Sequence, residues 1–105
     1  MSFVSTAHCI VENGGIPIFV DIDNITLNID IDKIEQIIKD SDCIKAIFPV
    51  HFAGLPCNMI EIKKLAEKYS LFVIEDASHA SGSKLDNELI GSCKFSDIAV
   101  FSFHP

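Results

Sequence analysis

Four unbroken apolar runs, Ile16–Val20, Ile44–Val50, Leu71–Ile74 and Ile98–Phe103, constrain the fold of this chain more than any other feature. Strict alternation would mark strands with one wet face, whereas continuous Ile, Val and Phe mark strands of a parallel sheet covered on both faces. Between the runs the hydrophobic period lengthens. Ile34, Ile37 and Ile38 recur at helical spacing behind Asp32, with Glu35 three residues further on, which predicts a short helix over 32–39 opened by a capping box at Asp32. Ile62, Leu65, Ala66 and Tyr69 form the apolar face of a helix over 59–69, opposite Glu61, Lys64, Glu67 and Lys68, with Asn58 as its N-cap. An earlier helix is predicted over about 6–13, stopped by Gly14-Gly15 and then Pro17. The order helix, strand, helix, strand, helix, strand, loop, strand predicts an α/β fold. Its mostly parallel sheet carries flanking helices joined by right-handed crossovers.

At 105 residues the chain holds one core, either a small domain or a piece of a larger one. An apolar content of 49% with mean hydropathy +0.35 is high for so short a chain, because a small body buries only a modest share of its surface. Apolar faces covered by something outside the 105 residues are therefore expected. Fifteen acidic residues against eight scattered basic ones give a formal charge of −7, which argues against binding a nucleic-acid backbone. No apolar run approaches the roughly 20 residues of a membrane span. Cys9, Cys43, Cys57 and Cys93 form no CxxC pair and no metal-like spacing with histidine, and the N-terminal residues lack the pattern of a signal peptide. Reduced thiols in a cytoplasmic protein are expected. The acidic stretch Asp21–Asp32 contains a D-x-D and is read as a connection, since Asp and Asn favour turns and caps.

The chemistry concentrates in VIEDASHA, residues 73–80, where a run of strand formers ends in Glu75 and Asp76 and a histidine follows at position 79. Ligands of open α/β sheets gather at the carboxyl ends of strands. A carboxylate placed there and partly desolvated by Phe72, Val73 and Ala77 stays charged only with a cationic partner. Two readings of Asp76 stand on the residues alone: a cap for the following turn, or the partner of such a cation. The fourth run ends in FSFHP, placing Ser102 and His104 at a second strand end, and Phe3 precedes the first helix. An acid, a histidine, a hydroxyl and an aromatic suit a flat, charged, phosphorylated heterocycle. His51 and His104 also fall at strand ends, where satisfaction by local backbone is as good a reading as any role. No base stands beside a thiol, so no cysteine is assigned chemistry.

These segments resemble a known family. SFVSTAHCI, PIFVDID, IFPVHFAGLPCNM, VIEDASHASGS and FSFHP stand in the order and spacing of the DegT/DnrJ/StrS family of pyridoxal-phosphate-dependent nucleotide-sugar aminotransferases. The likeness runs over essentially all 105 residues, with EDASHA and SFHP its most specific parts. It implies that residues 1–105 are part of the cofactor-binding large domain of a fold type I aminotransferase. The N-terminal segment, the Schiff-base lysine region and the C-terminal domain would lie outside the chain. It implies pyridoxal 5'-phosphate as cofactor, with Asp76 on the pyridine nitrogen, His79 on the ring hydroxyl and Ser102 on the phosphate. Phe3 would stack on one ring face and Ser78 would lie against the other. No catalytic residue falls within the chain, because the family's lysine belongs at the second position after SFHP, just beyond Pro105. The implied reaction moves an amino group from glutamate to a nucleotide-linked 4-keto-6-deoxy sugar, for the amino sugars of cell-surface polysaccharide or glycan, in a homodimeric enzyme. Two alternatives stand beside it: a sugar dehydratase of the same family with histidine in place of the lysine, and a noncatalytic α/β module that binds a nucleotide or a protein.

Overall fold

The structure is a computed structural model that describes residues 2–104. Its central element is β2 (Phe72–Asp76), flanked by β1 (Ala46–Ile47) and β5 (Ile98–Val100) in a parallel sheet of order β1-β2-β5. The register sets Ala46 opposite Phe72, Ile47 opposite Val73, Ile74 opposite Ile98, Glu75 opposite Ala99 and Asp76 opposite Val100. Helix α3 (Met59–Tyr69) forms the crossover from β1 to β2, and α1 (Val4–Glu12) and α2 (Ile31–Asp40) precede the sheet. A parallel sheet with flanking helices is thus the observed architecture, as the runs and their helical spacers predicted.

The core lies where α2 and α3 meet one face of the sheet. Ile34 and Ile38 of α2 join Met59, Ile62, Leu65 and Ala66 of α3 and Ile47 and Val73 of the strands. Burying each of the larger side chains stabilises the fold by about 1.5–3 kcal/mol. Along β2 the side chains alternate, so Val73 and Glu75 are buried with Ala77 just beyond, while Ile74 and Asp76 face the other side half-buried. Helix α3 begins as expected, with Asn58 Oδ1 accepting from Glu61 N at 3.4 Å. It ends at Ser70, whose left-handed backbone (φ 54°) lets Leu71 N donate to Ala66 O at 2.9 Å.

Helix α2 corrects the predicted cap. It starts at Ile31, and Asp30 Oδ1 accepts from Asp32 N and Lys33 N at 2.9 and 3.2 Å, so Asp32 stands inside the first turn. With the cap already supplied by Asp30, Glu35 turns to α3 instead of back to the helix start. It accepts from Lys68 Nζ at 2.7 Å and Tyr69 Oη at 3.1 Å, with Lys39 Nζ at 3.4 Å. Helix α1 spans Val4–Glu12 and not 6–13, with Phe3 at its N-cap position. The connection after β2, read from sequence as a plain loop, contains an antiparallel hairpin of β3 (Lys84–Leu85) and β4 (Glu88–Leu89). Asp86 and Asn87 both take positive φ there (48° and 64°), the geometry of a two-residue hairpin turn.

The run Ile16–Val20 is not a strand. It has no ladder partner among the described residues, and Ile16, Ile18 and Phe19 are exposed. This segment and the Ile44–Val50 stretch both line an apolar cavity of about 780 Å³. The runs Ile44–Val50 and Ile98–Phe103 pair over shorter spans than predicted, whereas Leu71–Ile74 becomes a strand that extends to Asp76. Beyond Ile47 the second run touches β2 only through the single bridge Val50–Asp76, because Pro49 has no N–H to give a ladder. The acidic D-x-D is the expected connection, with Asp23 Oδ1 accepting from Ile25 N, Thr26 N and Thr26 Oγ1.

The contact between α2 and α3 has a pH signature. Hydrogen bonds from Lys68 and Tyr69, helped by Lys39, bring the Glu35 carboxyl down to about 2. A carboxyl lowered on folding stabilises the fold fully above its ordinary value near 4.5 and loses that contribution as pH falls toward about 2. Glu35→Gln is therefore expected to lower stability near pH 7 and to flatten its fall over that window by the same amount, so that variant and parent converge in acid, as read by denaturant melts in acid and neutral buffers.

Candidate functional site

Asp76 is the last residue of β2, and its backbone is held from both sides. Asp76 N donates to Pro49 O at 2.9 Å, Asp76 O accepts from His51 N at 3.1 Å, and Ala77 N donates to Val100 O at 2.8 Å. The carboxylate then divides its two oxygens. Oδ1 accepts from Ser78 N at 3.2 Å, and Oδ2 accepts from Thr6 Oγ1 at 2.8 Å, from a residue 70 positions earlier on α1. One oxygen thus caps the turn, while the other is oriented by a distant helix.

Burial pushes the Asp76 carboxyl up, but the bonds from Ser78 and Thr6 and the nearby His79 outweigh it and hold the group below its ordinary value. Its surroundings differ from those expected. Phe72 is exposed, and Val73 and Ala77 lie on the opposite face with Glu75, so none of the three desolvates Asp76. Thr6 of α1 lies against it in their place.

The remaining predicted residues stand on the elements around this carboxylate. Ser78 is half-buried and His79 exposed on the turn that follows β2, with the His79 ring edge-on to Phe52 at 6.4 Å between centroids. Gly54 packs beneath that turn, where a Cβ would come within 3.1 Å of His79 O, and Ser83 Oγ donates to Gly54 O at 2.8 Å. Ser102 lies two residues past Val100, the register partner of Asp76; it is exposed, and its Oγ accepts from His104 N at 3.3 Å. Phe3 is exposed one turn before Thr6, whose N–H donates to Phe3 O at 3.1 Å. Asp76 and Ser78 are joined directly, whereas Phe3, His79 and Ser102 make no hydrogen bond to Asp76.

Sequence reasoning missed two features. Thr6 lies within the quoted SFVSTAHCI segment, but nothing local marks its hydroxyl as a partner for a carboxylate in another element. The second is a wholly buried pair. His51 Nδ1 accepts from Cys57 N at 3.0 Å, which leaves the ring proton on Nε2 to be donated to Glu75 Oε2 at 3.0 Å. Glu75 also accepts from Ser96 Oγ and, at 3.3 Å, from Gly91 N. Burial pushes the Glu75 carboxyl up, yet the donors from His51, Ser96 and Gly91 bring it below its ordinary value. A signal existed, since the period of β2 places Glu75 on the covered face and so demands donors.

The cysteines are unassigned for a physical reason. Cys57 is buried and donates to Val50 O at 3.2 Å, and burial pushes its thiol up to about 12, out of reach of the thiolate form. No group of three or more His, Cys, Asp or Glu among the described residues is arranged to hold a metal ion. No described helix is long and apolar enough to cross a membrane.

Residues 1–105 match the model of the DegT/DnrJ/EryC1/StrS aminotransferase family along their whole length. The chain belongs to that family. It is 52% identical over 81 residues to dTDP-4-amino-4,6-dideoxy-D-glucose transaminase of Escherichia coli, covering 77% of this chain and 21% of that protein. Its structure superposes with a TM-score of 0.90 on Helicobacter pylori PseC, an aminotransferase involved in the biosynthesis of pseudoaminic acid, at 40% identity over 98% of this chain and 26% of that one. Bacillus subtilis NtdA, solved with bound cofactor PMP, matches with a TM-score of 0.79 and 39% identity over 93% of this chain and 21% of its own. The chain spans about a quarter of the length of such relatives, 26% for PseC. Membership of the family agrees with the resemblance carried by EDASHA and SFHP, and with the parallel sheet that has Asp76 at its carboxyl end and Ser102 two residues past β5.

The Thr6 bond can be tested apart from any activity. Thr6→Val keeps the side-chain shape and removes the donor, so the Asp76 carboxyl is expected to titrate at higher pH, with a stability loss of about 1 kcal/mol. A carboxyl-detected NMR titration reads the first effect and a denaturant melt the second.

Proposed function

We propose that these residues form part of the cofactor-binding large domain of a longer pyridoxal-phosphate-dependent sugar aminotransferase. The observation that carries the reading is the Asp76 carboxylate, held ionised at the carboxyl end of the central strand with each oxygen oriented by its own donor. Two accepted bonds leave part of a carboxylate's roughly four lone-pair directions for a further N–H. The donor set therefore fits a protonated pyridine nitrogen. When bound, pyridoxal phosphate supplies the electron sink that lets an amino group pass between substrates.

The chain's own residues bind and orient that ring. Asp76 keeps the ring nitrogen protonated, and His79 donates to or accepts from the ring hydroxyl on the same turn. Ser102 at the adjacent strand end takes the phosphate through a charge-assisted bond. Phe3 covers one ring face from the start of α1, and Ser78 lies against the other. The lysine that carries the reaction lies beyond Pro105, at the second position after SFHP. The amino acceptor is a nucleotide-linked keto sugar, a reading supported by the transaminase and PseC likenesses, and glutamate is the donor. The working form is a cytoplasmic homodimer, in which the second subunit covers part of the apolar surface exposed here.

In a full-length protein carrying these residues, purified enzyme is expected to be yellow and to transfer nitrogen from glutamate to a nucleotide-linked keto sugar. Asp76→Asn keeps the shape but offers no full negative charge, so turnover is expected to fall by a factor of about 100 or more with the circular dichroism spectrum unchanged. Near-parental turnover in that variant would remove Asp76 from its role. Ser102→Ala is expected to weaken cofactor binding about tenfold while turnover at saturating cofactor changes little. A protein that retains no cofactor but binds a nucleotide would support the noncatalytic module instead.

A further inference from the structure

Glu75 is adjacent to Asp76 in the chain but points to the opposite face, into the core. Three segments distant in sequence converge on its carboxylate: His51 from the stretch after β1, Gly91 from the turn after β4 and Ser96 from the entry to β5. The same segments also hold the Asp76 region. His51 gives its ring N–H to Glu75 and its backbone N–H to Asp76 O, so one residue grips two consecutive positions of β2. Gly91, at φ 83°, gives its N–H to Glu75 while Phe101 presses against its Cα, where a Cβ would come within 2.2 Å of Phe101 Cζ. Phe101 directly precedes Ser102.

The ladders do not reach Ser102. Between β1 and β2 they comprise the pairs at Ala46 and Ile47 and the lone bridge at Val50, and between β2 and β5 they run through Ile98, Ala99 and Val100 and end at the Asp76–Val100 pair, two residues short of Ser102. We infer that the buried Glu75 carboxylate, gripped by His51, Ser96 and Gly91, is a positioning residue that sets the spacing between Asp76 and Ser102, the two strand ends assigned to opposite ends of the cofactor. The inference rests on the cofactor role of Asp76 proposed above.

The donors around Glu75 suit a carboxylate. All three groups facing it are donors, and the His51 tautomer is locked because Nδ1 already accepts from Cys57 N. In Glu75→Gln the amide oxygen can still face His51 and Gly91, which share Oε2, and Ser96 can turn its hydroxyl to accept from the amide N–H₂. What that variant removes is the charge that strengthens all three bonds.

The test is a double-mutant cycle in a full-length protein carrying these residues, with the dissociation constant of pyridoxal 5'-phosphate from the apo-protein as the readout. Glu75→Gln alone is expected to weaken binding about tenfold, and Asp76→Asn alone to weaken it as well. In the Asp76→Asn background the added effect of Glu75→Gln is expected to shrink below about threefold, because the residue through which it acts no longer engages the ring. The loss of melting temperature from Glu75→Gln should be the same in both backgrounds. An undiminished Glu75→Gln effect on cofactor binding in the Asp76→Asn background would overturn the positioning role and leave Glu75 a purely structural group. Unchanged binding and turnover in Asp76→Asn would overturn the cofactor reading itself, which separates the two failures. Should Glu75→Gln not fold, Ser96→Ala removes one donor without opposing another, and the same cycle is expected at about threefold amplitude.

Discussion

The structure depends on a buried carboxylate that three distant segments share. Glu75 sits in the middle strand of the sheet, on the covered face, where an unpartnered charge would cost several kcal/mol. Each hydrogen bond to such a charged group contributes about 1.5–3 kcal/mol, a sizeable part of the stability margin of a small domain. His51, Gly91 and Ser96 together close the stretch after β1, the turn after β4 and the entry to β5 onto a single point. An apolar residue at position 75 would bury its side chain without drawing these segments together.

The neighbouring carboxylate shows what the strand period does with two adjacent acids. Asp76 is turned to the face of α1, where it is only half-buried and bonded by Thr6 and Ser78. One acid is sealed and fully satisfied, while the other is accessible and keeps acceptor capacity. The same alternation of β2 produces both.

The apolar surface has an equally simple origin. A parallel sheet needs cover on both faces and partners on both edges. Here α2 and α3 cover one face, but α1 contributes no buried residue, and Ile16, Ile18, Phe19 and Phe103 remain exposed. The run at Ile16–Val20 has the composition of a strand without a ladder partner among the described residues. This accords with the fraction of the relatives' length that these residues span.

The sequence by itself determined what depends on neighbours a few residues apart. The amphipathic period of α3 and its Asn58 cap, the Asx turn at Asp23 and the strand run ending at Asp76 are local, and each was legible. The α2 cap lies two residues before the Asp32 that the capping-box pattern selects, because Asp30 and Asp32 are equally good caps until the chain path selects one. The family's signature segments were legible too, since EDASHA and SFHP are contiguous. Only the tertiary structure decided which groups satisfy the two acids. The partners of Glu75 lie 24, 21 and 16 residues away and the Thr6 partner of Asp76 lies 70 away, and no local spacing encodes such pairings. It also decided that Ile16–Val20 is not a strand, because propensity belongs to one segment whereas a ladder requires two.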